Sequence, residues 1–189
     1  MRVYLSCKMS LDHAPGSTSR SGPTAMDFAS TLKNIKANWP EAATSQSACA
    51  IMVQRFAALL QANARSALAP HGLSFTEFET LATLRSSPKP HELNPTALYD
   101  ALLISSGGLT KVLKSLEERG LVARPERLGD RRKRPIALTA TGQRLAEAAM
   151  MSVQAADAAK LEGASFEEAD YERLARSLGT LLISLEATV

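Results

Sequence analysis

Apolar residues recur with a helical period along most of this chain, and the clearest case lies between residues 105 and 119. Leu109, Val112, Leu113 and Leu116 fall at i, i+3, i+4 and i+7, which places them in one stripe of a helix. The opposite face carries small and polar residues: Gly108, Thr110, Lys111, Lys114, Ser115 and Glu118. Ser105 or Ser106 can cap the start of this helix, and Gly120 can end it in the left-handed conformation. The pattern predicts an amphipathic helix whose outer face can enter a groove and hydrogen-bond to groups in it.

Two short β-compatible runs follow this helix, at Leu121 to Arg124 and Ile136 to Leu138. The loop between them carries five cations and two acids, which gives it a net charge of +3: Glu126, Arg127, Asp130, Arg131, Arg132, Lys133 and Arg134. A recognition helix followed by a basic hairpin predicts a winged helix-turn-helix. The first helix of the pair is expected from Pro95 to about Leu103, with its leucines packed on Leu113 and Leu116.

Four longer helical segments and one short one surround this unit. They begin at Asp27, at Ser45 or Ser47, at the capping box Ser74-Phe-Thr-Glu77, at Thr139 or Thr141, and at a second capping box, Ser165-Phe-Glu-Glu168. In the segment that starts near Ser45, six apolar residues are expected to face mostly the core: Ile51, Val53, Phe56, Leu59, Leu60 and Leu68. Long helices at both ends of a small module predict a dimer, because the module alone cannot bury their apolar faces. The expected fold is mainly α, with a small β-hairpin wing and N- and C-terminal dimerisation helices.

The composition narrows the function. The chain has 189 residues, 45% of them hydrophobic, and a net charge of +3. Only two cysteines are present, too few for a disulfide framework, and no apolar run is long enough to span a bilayer, so a cytoplasmic protein without membrane contact is expected. The three histidines are scattered and no glycine-rich phosphate loop is present, so we expect no catalytic site, metal or cofactor.

Three segments together resemble the signature of the MarR family of bacterial transcription regulators. They are the run from Leu109 to Arg124, Gly-Asp-Arg-Arg at 129–132, and Ile-Ala-Leu-Thr-Ala-Thr-Gly at 136–142. The resemblance extends from about Ala48 to the C-terminus and implies a homodimer that binds a pseudo-palindromic operator in double-stranded DNA. It divides the chain into a disordered extension at 1–25 and a MarR-type domain at 26–189, with an extra helix at 27–39, a dimerisation helix at 45–70, the winged helix-turn-helix at 74–139 and dimerisation helices at 140–189.

The DNA-binding roles expected from this resemblance and from side-chain chemistry fall into two groups. Residues of the recognition helix would meet base edges and nearby phosphates: Ser105, Ser106, Gly108, Thr110, Lys111 and Lys114. In the wing, Asp130 would brace the hairpin while Arg131 or Arg132 reaches the minor groove. Arg127, Lys133 and Arg134 would hold phosphates, giving affinity that falls with salt but carries little sequence information.

The input signal has two candidate forms. The N-terminal extension resembles that of the urate-responsive subgroup, which implies an effector site formed by Trp39, Glu79 and Arg124. That subgroup carries Arg where this chain has Val112, so a less charged phenolic or heterocyclic small molecule is favoured over urate. Alternatively, Cys49 stands roughly where the peroxide-sensing branch of the family has its reactive thiol. Two other classes remain open, an architectural protein that binds DNA without sequence preference and a dimerisation module whose wing binds an acidic protein.

Overall fold

The computed structural model describes residues 28–102, 106–125, 135–164 and 166–187. These residues form seven α-helices: α1 (Phe28–Asn38), α2 (Ser45–Leu68), α3 (Phe75–Ser86), α4 (Pro95–Leu102), α5 (Ser106–Glu118), α6 (Ala140–Leu161) and α7 (Glu168–Glu186). Three short strands accompany them: β1 (Glu92–Leu93), β2 (Val122–Ala123) and β3 (Ile136–Leu138). The predicted fold class, mainly α with a small β wing, is confirmed. The predicted N-terminal extension at 1–25 lies outside the described residues.

The sheet is antiparallel, with strand order β1-β3-β2. Val122 pairs with Leu138 and Ala123 with Ala137, which is the hairpin expected from the sequence. β1 was not predicted, and it pairs with the other edge of β3, Leu93 opposite Ile136. A strand of two residues is too short to show an alternating pattern, so only its pairing reveals it.

Helix starts agree with the expectation at α2, α3 and α6 and depart from it at α7. The Ser74–Glu77 capping box and the Thr139 cap of α6 are both present. α2 begins at Ser45, one of the two predicted starts, and its cap is Thr44, whose side chain accepts a hydrogen bond from the backbone of Ser47.

The predicted capping box Ser165–Glu168 at the start of α7 is wrong. The cap is Glu167, whose backbone N–H donates to Asp170 Oδ2 at 3.0 Å. The residues on either side explain the shift, because the ring of Phe166 packs against Tyr171 with centroids 5.3 Å apart. This apolar contact between the residue before the cap and the fourth helical residue fixes the start of the helix at Glu167.

The core lies between α3, α4, α5, α6, the sheet and the last turns of α2. Its buried side chains are mostly leucines: Leu68, Leu73, Phe78, Leu81, Leu84, Leu98, Leu102, Leu109, Leu113, Leu116, Leu121, Val122, Ile136 and Val153. As expected, the α4 leucines at 98 and 102 join those of α5 at 113 and 116 in one cluster, while Leu103 lies outside the described residues. The clustering seats α5 with its apolar stripe inward.

The first half of α2 does not belong to this core. Val53, Phe56 and Leu59 are 40–44% exposed, and the buried residues of α2 are Ala64 and Leu68 near its end. The prediction that this apolar stripe mostly faces the core is therefore wrong for a single chain. Its helical spacing was read correctly, but nothing else in the described part of the chain covers it. None of the described helices is both long and apolar enough to cross a membrane.

Candidate nucleic-acid interface

Helix α5 presents two chemically distinct faces. Leu109, Leu113 and Leu116 are no more than 5% exposed and anchor it to the core. On the other side, four of the predicted contact residues are exposed: Gly108, Thr110, Lys111 and Lys114. The ammonium of Lys114 lies 3.8 Å from Glu118, and both side chains are largely in solvent. Because an exposed pair of this kind is weak, Lys114 can exchange Glu118 for a phosphate or base at little cost.

The first turn of α5 is unusually open. Glycine in a helix costs roughly 1 kcal/mol relative to alanine, so its presence usually has a reason. A Cβ atom at Gly107 would meet nothing within 4 Å, so packing within the described part of the chain does not require glycine there. Close approach by the backbone of another molecule would require it. Of the two predicted serines, Ser106 is the first residue of α5, and Ser105 lies outside the described residues.

The end of α5 is joined tightly to the start of α6. Gly120 has φ +65°, the left-handed conformation predicted for the stop of the helix. Thr139 Oγ1 lies 2.8 Å from the carbonyl oxygen of Gly120 and also accepts from the backbone N–H of Gly142. A Cβ atom at Gly142 would stand 2.0 Å from the carbonyl oxygen of Leu121, closer than atoms can approach. The sequence motif contains Gly142, but spacing alone did not show why glycine is needed.

Both strands predicted for the wing are present. β2 lies within the predicted run from Leu121 to Arg124 and follows α5 and its turn, and β3 occupies the predicted residues 136–138. The two strands are hydrogen-bonded neighbours. Of the charged residues between the two strands, Arg124 is described, and the others lie outside the described residues: Glu126, Arg127, Asp130, Arg131, Arg132, Lys133 and Arg134. Their individual roles stay predictions.

The largely buried carboxylate of Glu77 links α3 to α5. Glu77 Oε2 accepts hydrogen bonds from the backbone N–H and the hydroxyl of Ser74, at 2.9 and 2.8 Å. Glu77 Oε1 accepts a 2.7 Å hydrogen bond from Ser115 Oγ and lies 3.4 Å from Arg119 Nη1. Burial alone would raise the pKa of Glu77, but the bonds from Ser115 and Ser74 and the charge of Arg119 together lower it. The sequence pattern predicts only the local half of this arrangement, the capping box formed by Ser74 and Glu77.

The three residues predicted to hold an effector lie in different surroundings. The Trp39 side chain, at the end of α1, is 66% exposed, whereas Glu79 is buried in α3. Arg124 donates from Nε to Glu117 Oε1 at 2.6 Å, so it braces α5 against the residues that follow β2. Within the described part of the chain, no hydrogen bond or ion pair joins any two of the three.

Glu79 is the buried ionisable group that has no matching hydrogen bond among those described. Burial raises its pKa to about 7, and the charge of Arg65 on α2 offsets part of this effect. Near neutral pH the carboxyl is therefore divided between its charged and its protonated form. In the protonated form it can donate a hydrogen bond as well as accept one.

Two further features lie near the N-terminal end of α2. A largely apolar cleft of about 170 Å³ separates α1 from α2, and its lining includes Leu32, Ile35 and Ile51. Cys49 is a free, exposed thiol in the second turn of α2.

Among the described residues, no group of three or more His, Cys, Asp or Glu side chains is placed so that it could hold a metal ion.

Comparison with known proteins places this geometry among regulators of transcription. A model of the MarR family matches residues 71–133. The HTH-type transcriptional repressor Rv2887 of Mycobacterium tuberculosis is 33% identical over 130 residues, which cover 68% of this chain and 91% of the repressor. The HTH-type transcriptional regulator PecS of Dickeya dadantii is 41% identical over 70 residues, 37% of this chain and 42% of PecS.

Solved structures of Rv2887 extend the similarity to the fold. Its complex with salicylic acid is 33% identical, with a TM-score of 0.57 over 70% of this chain and 94% of that one. Its complex with DNA is 32% identical, with a TM-score of 0.54 over 69% and 93% of the two chains.

Proposed function

This chain belongs to the MarR family of transcriptional regulators, and from that premise we propose that it is a homodimeric, sequence-specific DNA-binding repressor released by a small ligand. The observation that carries the proposal is α5, which buries its leucines and presents Thr110, Lys111 and Lys114 to solvent beside a hairpin. A helix with this division of faces fits the major groove of B-DNA. The relatives are named as regulators, and we propose a cytoplasmic protein without enzymatic activity.

The roles proposed for individual residues follow from their position. Thr110, Lys111 and Lys114 would contact base edges, with Ser105, Ser106 and Gly108 near the phosphates at the start of α5. The wing would add a minor-groove contact through Arg131 or Arg132, with Asp130 bracing the hairpin and Arg127, Lys133 and Arg134 on phosphates. This division predicts that loss of a base-reading Lys relaxes specificity, whereas loss of a phosphate-binding Arg weakens all sequences alike.

The partner in the homodimer is a second copy of this chain. Apolar side chains on α2 and α7 are left exposed at helical spacing, among them Phe56, Leu59, Leu181 and Leu182, at 40–48%. Two-fold pairing of these helices would bury them and would set two recognition helices on successive major grooves of a pseudo-palindromic operator.

The proposed effector is a small aromatic acid or a related phenolic or heterocyclic compound. The relative Rv2887 is seen with salicylic acid, and this chain offers Trp39, Glu79 and Arg124 as candidate ligand-binding residues. A protonated Glu79 could donate a hydrogen bond to the carboxylate or phenolate of such a ligand without burying two like charges. The ligand would act by favouring a spacing of the recognition helices that no longer matches the operator.

The test begins with the DNA that the protein prefers. Duplexes selected from a random library should converge on a pseudo-palindrome, bind far more tightly than a scrambled duplex, and lose affinity as salt rises. Salicylate or a related aromatic acid should then release the selected duplex. Equal affinity for selected and scrambled duplexes would overturn the repressor proposal in favour of a non-specific architectural protein.

Exposure of the Cys49 thiol favours one alternative input, oxidation by peroxide. Release of the selected duplex by peroxide in the wild type but not in Cys49→Ser would support it. An equal response in both proteins would eliminate it.

A further inference from the structure

The four residues Ser74, Glu77, Ser115 and Arg119 form a continuous polar contact between α3 and α5, which we call the Glu77 bridge. Each oxygen of the carboxylate has a separate task, since Oε2 caps α3 through Ser74 and Oε1 reaches Ser115 and Arg119. The Glu77 side chain is only 12% exposed, so solvent competes little for these bonds. Because the pKa of Glu77 is lowered, the carboxylate is ionised at neutral pH and the bond from Ser115 is charge-assisted.

The bridge holds the row of α5 that also carries Lys111. Lys111 and Ser115 lie one turn apart on the same side of α5, and Arg119, the residue after the end of the helix, continues the spacing of four. Ser115 and Arg119 contact Glu77, while Lys111 is exposed and has no contact with it. The contacts of Ser115 and Arg119 with Glu77 therefore also set the direction in which the Lys111 side chain projects from α5.

The apolar contacts of α5 cannot supply this accuracy alone. Leu109, Leu113 and Leu116 keep the helix on the core, but hydrophobic contact is non-directional and tolerates small rotations. With a side-chain radius of about 5 Å, a rotation of about 10° displaces the outer face by roughly 1 Å. A hydrogen bond to a base edge has a useful range of only about 0.5 Å, so such a rotation would lose it.

We propose that Ser115 is a positioning residue for base recognition: through Glu77 it sets the rotation of α5 that aims Lys111 and Lys114 at the bases. This inference rests on the proposed DNA-binding function. Contacts to phosphates are more tolerant of a small rotation because charge attraction acts over a longer range. Loss of the bridge should therefore reduce discrimination between sequences more than it reduces DNA affinity in general.

The experiment measures the ratio of affinities for the duplex selected by the wild type and for a scrambled duplex of the same composition. Ser115→Ala should lower this ratio about tenfold, chiefly through weaker binding of the selected duplex, and Ser115→Thr should restore most of it by retaining the hydroxyl. Asn63→Ala is the matched control, because it removes a side-chain bond of 2.8 Å to Asp157 between α2 and α6, away from α5. The control should keep the wild-type ratio.

Glu77→Gln separates positioning from direct contact. Only 12% of the Glu77 side chain is exposed and its carboxylate is occupied by Ser74, Ser115 and Arg119, so we expect the substitution to act through those contacts. The amide oxygen would still accept a hydrogen bond at the cap, but the charge that holds Ser115 and Arg119 would be lost. We expect its ratio to fall about threefold. A wild-type ratio in Glu77→Gln, or a ratio in Ser115→Ala no lower than in Asn63→Ala, would overturn the positioning role. A wild type that does not distinguish the two duplexes would instead overturn the proposed function, and the positioning role with it.

Discussion

Leucines are buried in the winged-helix module, residues 75–138, and exposed on the terminal helix α7. In the module, Leu81, Leu84 and Leu98 are fully buried, and so is Leu116 of the recognition helix. In α7, the leucines at 174, 181, 182 and 185 are 40–57% exposed, and no described residue of α7 is buried. The module thus completes its core within one chain, whereas α7 and the first half of α2 have apolar faces that only another surface can bury.

We therefore expect folding stability and dimer association to depend on different leucines of this chain. Truncating a module leucine should cost folding free energy, and changing an α7 leucine should cost association. A buried polar side chain should have a third kind of effect. Glu79 is buried in α3 without a described hydrogen-bond partner, and its titration makes the free energy of unfolding depend on pH.

The largest expected effect comes from placing a charge on the exposed apolar face of α7. Leu182→Glu should convert the dimer to a monomer and reduce affinity for the selected duplex about a thousandfold. In the dimer, binding of one recognition helix holds the second at high effective concentration near its half-site, and the monomer loses this effect. Analytical ultracentrifugation and DNA titration measure the two quantities. Thr180→Glu, on the opposite face of α7, is the control and should remain dimeric. A dimeric Leu182→Glu would show that α7 is not part of the interface.

Within the module, Leu116→Ala should lower the free energy of unfolding by about 3 kcal/mol, because it leaves a cavity where a fully buried side chain stood. Denaturant unfolding measures the loss. Met151→Ala on α6, where the side chain is 71% exposed, should change stability by less than about 0.5 kcal/mol. Equal losses in the two variants would contradict the contrast between buried and exposed positions.

Glu79→Gln should remove a pH dependence of roughly 2 to 3 kcal/mol in unfolding free energy. Because burial raises the pKa of Glu79 to about 7, the stability gained from its protonated form is fully present below the unfolded value of 4.5 and is lost as pH rises through about 7. The variant should therefore be more stable than the wild type at pH 8 and nearly equal to it at pH 4. Glu162→Gln, at an exposed position, should follow the wild type throughout. Parallel curves for Glu79→Gln and the wild type would refute the assignment.

The smallest expected effect belongs to the exposed face of α5. Lys111→Ala should leave the unfolding free energy nearly unchanged, since its side chain is exposed, yet reduce preference for the selected duplex about tenfold. Competition against the scrambled duplex measures the preference. Lys160→Ala, an exposed change near the end of α6, should leave it unaltered. If Lys111→Ala weakened both duplexes equally, Lys111 would be a phosphate contact.

Local sequence patterns predicted the helices, the β2–β3 hairpin and the packing of α4 on α5, but not the polar contacts between distant residues. The stripe of α5, the Ser74–Glu77 capping box and the Thr139 cap depend on residues within one or two turns, so spacing reveals them. The start of α7 was misplaced because Ser165 and Glu168 have capping-box spacing, yet the contact between Phe166 and Tyr171 decides the start. Glu77 and Ser115 are 38 residues apart, a pairing that only the folded core creates.

The candidate site was predictable in part for the same reason. The exposed face of α5 follows from its period, and the resemblance to MarR proteins supplied Glu79 as a ligand-binding candidate. Neither the burial of Glu79 nor the ion pair of Arg124 with Glu117 could be derived from spacing. The first depends on how α3 packs in the core, and the second on how the chain after β2 returns to α5.

The contact between Gly142 and Leu121 couples a tilt of α6 to a displacement of the recognition helix α5. Because a side-chain atom at Gly142 would clash with the carbonyl oxygen of Leu121, the first turn of α6 and the turn after α5 are in direct backbone contact, and we expect them to move together. α6 has 22 residues and is therefore about 33 Å long, so a tilt of about 5° at its far end would displace the recognition helix by roughly 3 Å. A small change of angle in the dimer would thus be magnified at the DNA, and the stiffness of this one joint determines how much of the tilt is transmitted.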